Sequence, residues 1–280
     1  MQFLLFNLLI TLLLGSCKES EDKNIYPSGK TIRERILPPK GYQWVHEENG
    51  SFGAFLQNLQ LKNNGSKILD YQGNEIFNQH EHVAIINYDI GKKDLQQCAD
   101  AVIRLHAEFL FAKKRFQNIK YHFTSGDVFS WDDYKNGFRP NITINNDVTF
   151  LKTSHFDDSY TSFRKYLDII YMYAGTISLN KETNPITDNS RIEPGNILIT
   201  PGSPGHVVII VGKAINKNGK SIYLLAEGYT PAQSIHVISN PFNNNIGPWY
   251  ELDVNKSPTI TARYMFNRTN IRSFDFKSMN

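Results

Sequence analysis

The stretch Ile192-Glu193-Pro194-Gly195-Asn196-Ile197-Leu198-Ile199, followed by Pro204-Gly205-His206-Val207-Val208-Ile209-Ile210-Val211, decides the fold. Two apolar runs with a Pro-Gly turn between them predict neighbouring β-strands. Because five apolar residues follow His206 without interruption, we expect its strand to lie in the centre of a sheet. His206 then opens that strand beside a loop, where the sheet anchors its ring at the edge of a cleft.

The remaining pattern predicts helices first and strands later, which is typical of an α+β fold. Helical spacing runs from Asp94 to about Lys114 and again from Ser159 to Ala174. We therefore expect an antiparallel sheet packed against a long helix from the N-terminal half. The predicted strands of the second half are Asn196–Thr200, His206–Gly212, Ser221–Glu227, Ser234–Ser239, Trp249–Asp253 and Thr259–Phe266.

The first residues predict a targeting segment. The apolar run Gln2–Leu14 is too short to span a bilayer, and it ends in Leu14-Gly15-Ser16-Cys17, the small-residue pattern of a lipoprotein signal peptide. We expect a signal peptide over residues 1–16, lipidation of Cys17, a flexible tether over 17–37 and a single α+β domain over 38–280. The lipid would hold the protein at the outer membrane, on its periplasmic or exposed face. An ordinary secretory signal cut nearby is the alternative.

Charge and composition limit the function classes. The net charge is only +3, and no long basic run occurs, so we expect no nucleic-acid partner. The sequence contains no glycine-rich motif of the kind that binds the phosphates of a nucleotide, and we therefore expect no cofactor. His80-Glu81-His82 places two imidazoles on one strand face but offers no third ligand, so we also expect no metal.

Cys98 and His206 are the candidate reactive pair. With Cys17 taken by the lipid, Cys98 is the one remaining thiol of the mature chain. In the first turn of a helix, a thiolate faces unsatisfied amides and the positive end of the dipole. A thiol at a helix start and an imidazole at a strand start are the two halves of a cysteine nucleophile site. The alternative is that Cys98 simply fills space in the core.

Two residues are candidates for orienting the His206 ring. A two-residue turn at Asn218-Gly219 would place His206 opposite Pro231 and make Gln233 a diagonal neighbour on the same face. This register favours Gln233, whereas a bulge at Gly228 would favour Glu227 instead. Gln97, or a backbone amide of the Cys98 turn, could stabilise an oxyanion.

Four segments together resemble the lipoprotein family known as domain of unknown function 4846. They are Gln96–Leu105, Tyr173–Thr176, Gly202–His206 and Gly228–Val237. The resemblance covers most of the mature chain and implies no established activity. Glu227 stands where that family usually has a glutamine.

A second resemblance is shorter. Pro194-Gly195-Asn196-Ile197 and His206-Val207-Val208-Ile209 are similar to elements of NlpC-type, papain-like cell-wall hydrolases. It implies a papain-like fold in which Cys98, His206, and Gln233 or Glu227 act in that order. Asn196 replaces the usual aspartate, and the usual Asp-Cys-Ser context of the cysteine is absent.

Two functions follow from these patterns. The first is an extracytoplasmic, lipid-anchored cysteine amidase or endopeptidase that acts on peptidoglycan peptides. The second is a non-catalytic envelope lipoprotein that binds a peptide or a glycan on the same scaffold.

Overall fold

The computed structural model of the chain describes residues 24–145 and 147–274. The predicted signal peptide, Cys17 and the first residues of the tether lie outside this part. The α-helices are α1 Ile32–Arg35, α2 Phe52–Gln57, α3 Cys98–Ala112, α4 Trp131–Lys135, α5 Tyr160–Tyr173 and α6 Thr176–Glu182. Two short 3₁₀ turns cover Phe116–Asn118 and Asn189–Arg191.

The strands divide between one large sheet and three hairpins. They are β1 Tyr42–Trp44, β2 His82–Ile85, β3 Lys120–His122, β4 Val128–Ser130, β5 Phe138–Ile142, β6 Val148–Lys152, β7 Asn184–Pro185, β8 Ile197–Thr200, β9 His206–Asn216, β10 Ser221–Glu227, β11 His236–Ile238, β12 Thr259–Ile260, β13 Met265–Phe266 and β14 Ile271–Ser273. The large sheet has the order β2-β11-β10-β9-β8-β14-β7, and β1 also pairs with β9. All its pairs are antiparallel, which confirms an α+β fold with an antiparallel sheet.

The strand that begins at His206 is central, as its apolar run predicts. It pairs with β10 on one side and with β8 and β1 on the other. Val207, Ile209 and Val211 belong to the core beneath the helices, whereas Val208 and Ile210 belong to a second core on the opposite face. Burial on both faces explains why the run is continuous rather than alternating.

Several predicted elements have different bounds. The predicted strand Trp249–Asp253 contributes only an isolated bridge between Tyr250 and Tyr223. The predicted strand Thr259–Phe266 is folded back on itself as the β12–β13 hairpin, because Thr261 and Tyr264 close a turn within it.

The end of the predicted tether is part of the packed structure. Thr31 caps α1 with a capping box to Glu34, and Ile32 and Ile36 are fully buried in the main core. Residues 24–37 therefore belong to the packed structure, whereas the sequence predicts that they are part of a flexible tether.

Candidate active site

The helix that carries the cysteine begins at the cysteine itself. Cys98 is the first residue of α3, and its side chain is half-buried. The amides of a first helical turn have no acceptor within the helix, and they form the positive end of its dipole. The sulfur therefore lies beside hydrogen-bond donors and remains within reach of solvent.

Local hydrogen bonds explain why α3 begins later than Asp94. The Asp100 carboxylate accepts the backbone N–H of Gln97 at 3.0 Å, which stabilises a helix start at Cys98. Asp94 Oδ1 instead accepts from Gln97 Nε2 at 3.0 Å and from the Ala232 amide at 2.7 Å. Gln97 Oε1 also accepts the Thr230 hydroxyl at 3.0 Å. The Gln97 side chain thus ties the helix start to the 230–232 segment, and first-turn backbone amides are the better oxyanion donors.

Asp100 adds little negative charge to this turn. Its burial raises the pKa of the Asp100 carboxyl to about 8, against the opposing effect of hydrogen bonds from the Gln97 and Asp100 amides. The carboxyl is therefore mostly protonated at neutral pH, so it does not disfavour an ionised sulfur nearby.

The structure brings Cys98, His206 and Glu227 together. His206 Nε2 lies 2.8 Å from Glu227 Oε2. Cys98 also acts on the ring, because hydrogen bonding with Cys98 and its negative charge both help to raise the pKa of His206. Because Glu227 occupies Nε2, Nδ1 is the ring nitrogen that remains available for a second hydrogen bond. Glu227 is fully buried and His206 is almost fully buried.

A bulge in β9 selects Glu227 over Gln233. The loop at Lys217–Gly219 has three residues rather than two, since Asn216 pairs with Lys220 and Gly219 takes a φ of +80°. Further along, Leu224 pairs with Gly212 whereas Leu225 pairs with Ile210, which leaves Val211 as the extra residue.

The three-residue turn and the bulge at Val211 each shift the pairing of β10 with β9 by one residue, so the observed register differs from the predicted one. Ala226 pairs with Ile209, so Glu227 comes opposite Val208 and diagonal to His206 on the same face. The bulge was expected at Gly228, and it lies instead on the partner strand. Gln233 does not orient the ring: its Nε2 donates to the Pro231 carbonyl at 3.1 Å.

The charges of His206 and Glu227 stabilise each other. Burial works to lower the pKa of His206, but hydrogen bonds with Cys98 and Glu227 and the negative charges of both outweigh it and raise the pKa to about 9. Burial works to raise the pKa of Glu227, but hydrogen bonds and positive charge from His206 and His236 hold it well below its usual range. At neutral pH the ring is therefore an imidazolium and Glu227 a carboxylate.

Two further nitrogen-bearing side chains lie behind the Glu227 carboxylate. His236 Nε2 is 3.5 Å and Arg263 Nε 3.8 Å from Glu227 Oε1. Arg263 in turn pairs with Glu81 at 3.2 Å and donates to Gln233 Oε1 at 3.2 Å. Gln233 therefore acts on the site through Arg263, because it helps to hold the guanidinium near Glu227.

Aromatic rings and one glycine complete the site. The rings of Tyr229, Tyr264 and Phe266 lie 5.1, 4.7 and 5.9 Å from the His206 ring and exclude water from it. At Gly228, a Cβ atom would come within 2.7 Å of the Gln97 carbonyl oxygen. The absence of a side chain there lets the end of β10 approach the start of α3.

Sequence reasoning missed His236, Arg263, Tyr264 and Phe266. The alternation of Tyr264 and Phe266 is a signal for one buried face, and Arg263 is a charged residue directly before that pair. Their position near His206 depends on the fold of the β12–β13 hairpin, which no local pattern reveals.

The two imidazoles of His80 and His82 have separate surroundings. His82 Nε2 lies 3.1 Å from the Ser66 carbonyl oxygen, and His80 is exposed. Within residues 24–145 and 147–274, no three metal-ligating side chains gather into a site. In the same part of the chain, no helix has the length and apolar character to cross a membrane.

The fold and the site define an α+β protein with a largely buried cysteine–histidine–glutamate chain at the end of its central strands. Residues 32–273 match the model of the family described as domain of unknown function 4846, and the chain belongs to that family. This match confirms the resemblance carried by the four sequence segments. No curated protein and no solved structure matches the chain.

Alkylation of Cys98 by iodoacetamide tests the charge state of the site. A neighbouring imidazolium accelerates the alkylation of a cysteine, so we expect Cys98 to react at pH 6 at least about tenfold faster than a model thiol. The raised pKa of His206 keeps the ring charged up to about pH 9. Glu227→Gln removes the carboxylate that helps to raise it, so the acceleration at pH 6 to 8 should fall.

Glu251→Gln is the matched control, since Glu251 pairs with Lys220 on the surface. Its alkylation profile should equal that of the wild type. A wild-type rate no faster than the model thiol, or an unchanged profile in Glu227→Gln, contradicts this electrostatic account.

Proposed function

We propose that the protein is a cysteine hydrolase that cleaves amide bonds in peptides, with a papain-like arrangement of its reactive groups. The observation that carries the proposal is the hydrogen bond between the buried His206 and Glu227, beside a half-buried Cys98 that helps to raise the pKa of the His206 ring. A nucleophile, a base and a group that orients the base are the parts that covalent acyl transfer requires.

The first half of the reaction forms a thioester. The Cys98 thiolate attacks the carbonyl carbon of the substrate, so a carbon–sulfur bond forms and the carbonyl oxygen takes the electron pair as an oxyanion. Amides of the first turn of α3 stabilise that charge. The imidazolium of His206 then donates its proton to the amide nitrogen, the carbon–nitrogen bond breaks, and the amine leaves.

The second half releases the acid. The neutral His206 ring accepts a proton from water, whose oxygen attacks the thioester carbon. The carbon–sulfur bond then breaks, which regenerates the thiolate beside a protonated ring. Throughout, Glu227 fixes the ring through Nε2 and stabilises its positive charge.

Cell-wall peptides are the proposed substrates because of the proposed location. The apolar segment before Cys17 supports a lipid-anchored protein at the outer membrane, and such a protein meets the peptides of peptidoglycan. In this proposal, residues 1–16 are removed and residues 38–280 form one catalytic α+β domain. The short NlpC-type motifs around Pro194 and His206 support the same substrate class.

Cleavage of purified peptidoglycan fragments, followed by mass spectrometry, tests the activity. We expect Cys98→Ala and His206→Ala to lower the rate by roughly 10³-fold or more, because the residues of such a site act as a unit. His80→Ala alters an exposed imidazole and should leave the rate unchanged. Circular dichroism shows whether each variant keeps its fold.

Unchanged cleavage by folded Cys98→Ala rejects the hydrolase. Binding of the same fragments without cleavage, together with an ordinary thiol reactivity, favours the non-catalytic peptide- or glycan-binding lipoprotein instead.

Metabolic labelling with palmitate tests the anchor. We expect the wild type to carry label and Cys17→Ala to lose it, because acylation requires that thiol. Cys98→Ala is the matched control, as it removes the other cysteine of the chain and should remain labelled. Label that persists in Cys17→Ala, or an unlabelled wild type, contradicts the anchor.

A further inference from the structure

A cavity of about 700 Å³ lies at the edge of the large sheet, away from Cys98. Its walls come from α6, β7, the end of β8, β14 and the segment before β14. Its apolar floor includes Ile186, Ile199 and Ile271. This volume is in the range of small-ligand sites, which combine an apolar floor with a few polar groups.

The charged side chains that line this cavity are all positive. Arg268 and Arg272 both contribute to the lining, and no aspartate or glutamate does. Arg272 is half-buried, and its Nε donates to Thr183 Oγ1 at 3.0 Å while Nη2 donates to the Thr183 carbonyl. Among the residues that the structure describes, neither arginine forms an ion pair with a carboxylate.

Among residues 24–145 and 147–274, the half-buried Arg272 guanidinium has only neutral hydrogen-bond acceptors. Burial lowers the pKa of Arg272, as expected of a cation without a counter-charge. Proteins usually pair such a cation with an anion, and the planar guanidinium fits a carboxylate through two parallel hydrogen bonds. The geometry therefore favours a ligand that brings a negative charge.

Side-chain amides surround the two arginines. Asn180, Asn255, Asn267 and Asn270 all line the cavity. Asn270 Nδ2 donates to Asn180 Oδ1 at 3.0 Å and to the Ile199 carbonyl at 3.2 Å, which fixes two of these amides in position. Amides offer both a donor and an acceptor, the pair that a peptide group requires.

The cavity shares structural elements with the end of β9 that carries His206. Thr200 lines it and is the register partner of His206 across β8 and β9. Thr176 at the start of α6 holds the loop before His206 through Gly202, and Asn180 in the cavity is one helical turn further along. Helix α6 therefore borders both the cavity and the loop before His206.

We propose that this cavity binds a peptide through its free carboxylate, with Arg268 and Arg272 as the anion-binding residues. The assignment of that peptide as part of the substrate rests on the proposed function, whereas the binding itself does not. A peptide held there would place its carboxylate beyond the loop of residues 201–205, on the far side from the bond that Cys98 attacks.

Calorimetric titration of the full chain bearing Cys98→Ala tests the proposal without turnover. The probes are N-acetyl-alanyl-alanine with a free carboxylate, the same peptide with a C-terminal amide, and inorganic phosphate. We expect the free acid to bind and the amide to bind at least about tenfold more weakly, because a charge-assisted pair is lost. Arg268→Gln should weaken binding of the acid to a similar degree.

Arg191→Gln is the matched control, since Arg191 is also exposed but does not line the cavity. Arg272→Lys keeps the charge but loses the planar fork, and we expect an intermediate loss with the fold retained. Equal binding of acid and amide, unchanged affinity in Arg268→Gln, or binding of phosphate alone overturns the peptide site. If the free acid binds but the wild-type protein cleaves no peptide, the result contradicts the proposed hydrolase and still supports the binding site.

Discussion

The hydrogen bond of 2.8 Å between His206 Nε2 and Glu227 Oε2 is the interaction on which the rest of the site depends. Both residues are almost fully removed from water, where either charge alone would be costly. Together they form a compensated pair, and the pair directs the free side of the ring toward Cys98. Without Glu227, the His206 ring would lose a hydrogen bond and a negative charge that raise its pKa, whereas the burial that lowers its pKa would remain.

The pair itself requires support from further residues. A buried carboxylate with one partner still has a second oxygen to stabilise, and here His236 and Arg263 lie near that oxygen. Arg263 is also stacked over the Tyr229 ring at 4.1 Å and paired with Glu81. The charges alternate from Glu81 to Arg263, Glu227 and His206, so each buried group has an opposite neighbour.

The sequence is sufficient to predict the central strand, the α+β class, and the helix start and strand start that carry Cys98 and His206. The apolar run after His206 can only be a strand buried on both faces, and helical spacing places Cys98 in a first turn. These features follow from short-range periodicity, which is the property that a single sequence reports best.

The third residue could not be predicted, because it depends on strand register. One extra residue in the turn and one bulged residue, Val211, decide whether Gln233 or Glu227 faces the ring. A one-residue shift of register changes the local free energy little, so the packing of the whole sheet decides which register forms. Arg263 and Tyr264 are harder still, since they approach His206 from a hairpin more than 50 residues away along the chain. The cavity beside β14 likewise forms from segments that only the fold brings together.

The most direct measurement is the protonation state of the His206 ring, read from its nitrogen chemical shifts by NMR across the pH range. The account predicts that both ring nitrogens carry protons at pH 7, that the ring titrates near pH 9, and that Cys98→Ala lowers this midpoint. A ring that is neutral at pH 7, with a midpoint at or below that of free histidine, would contradict it.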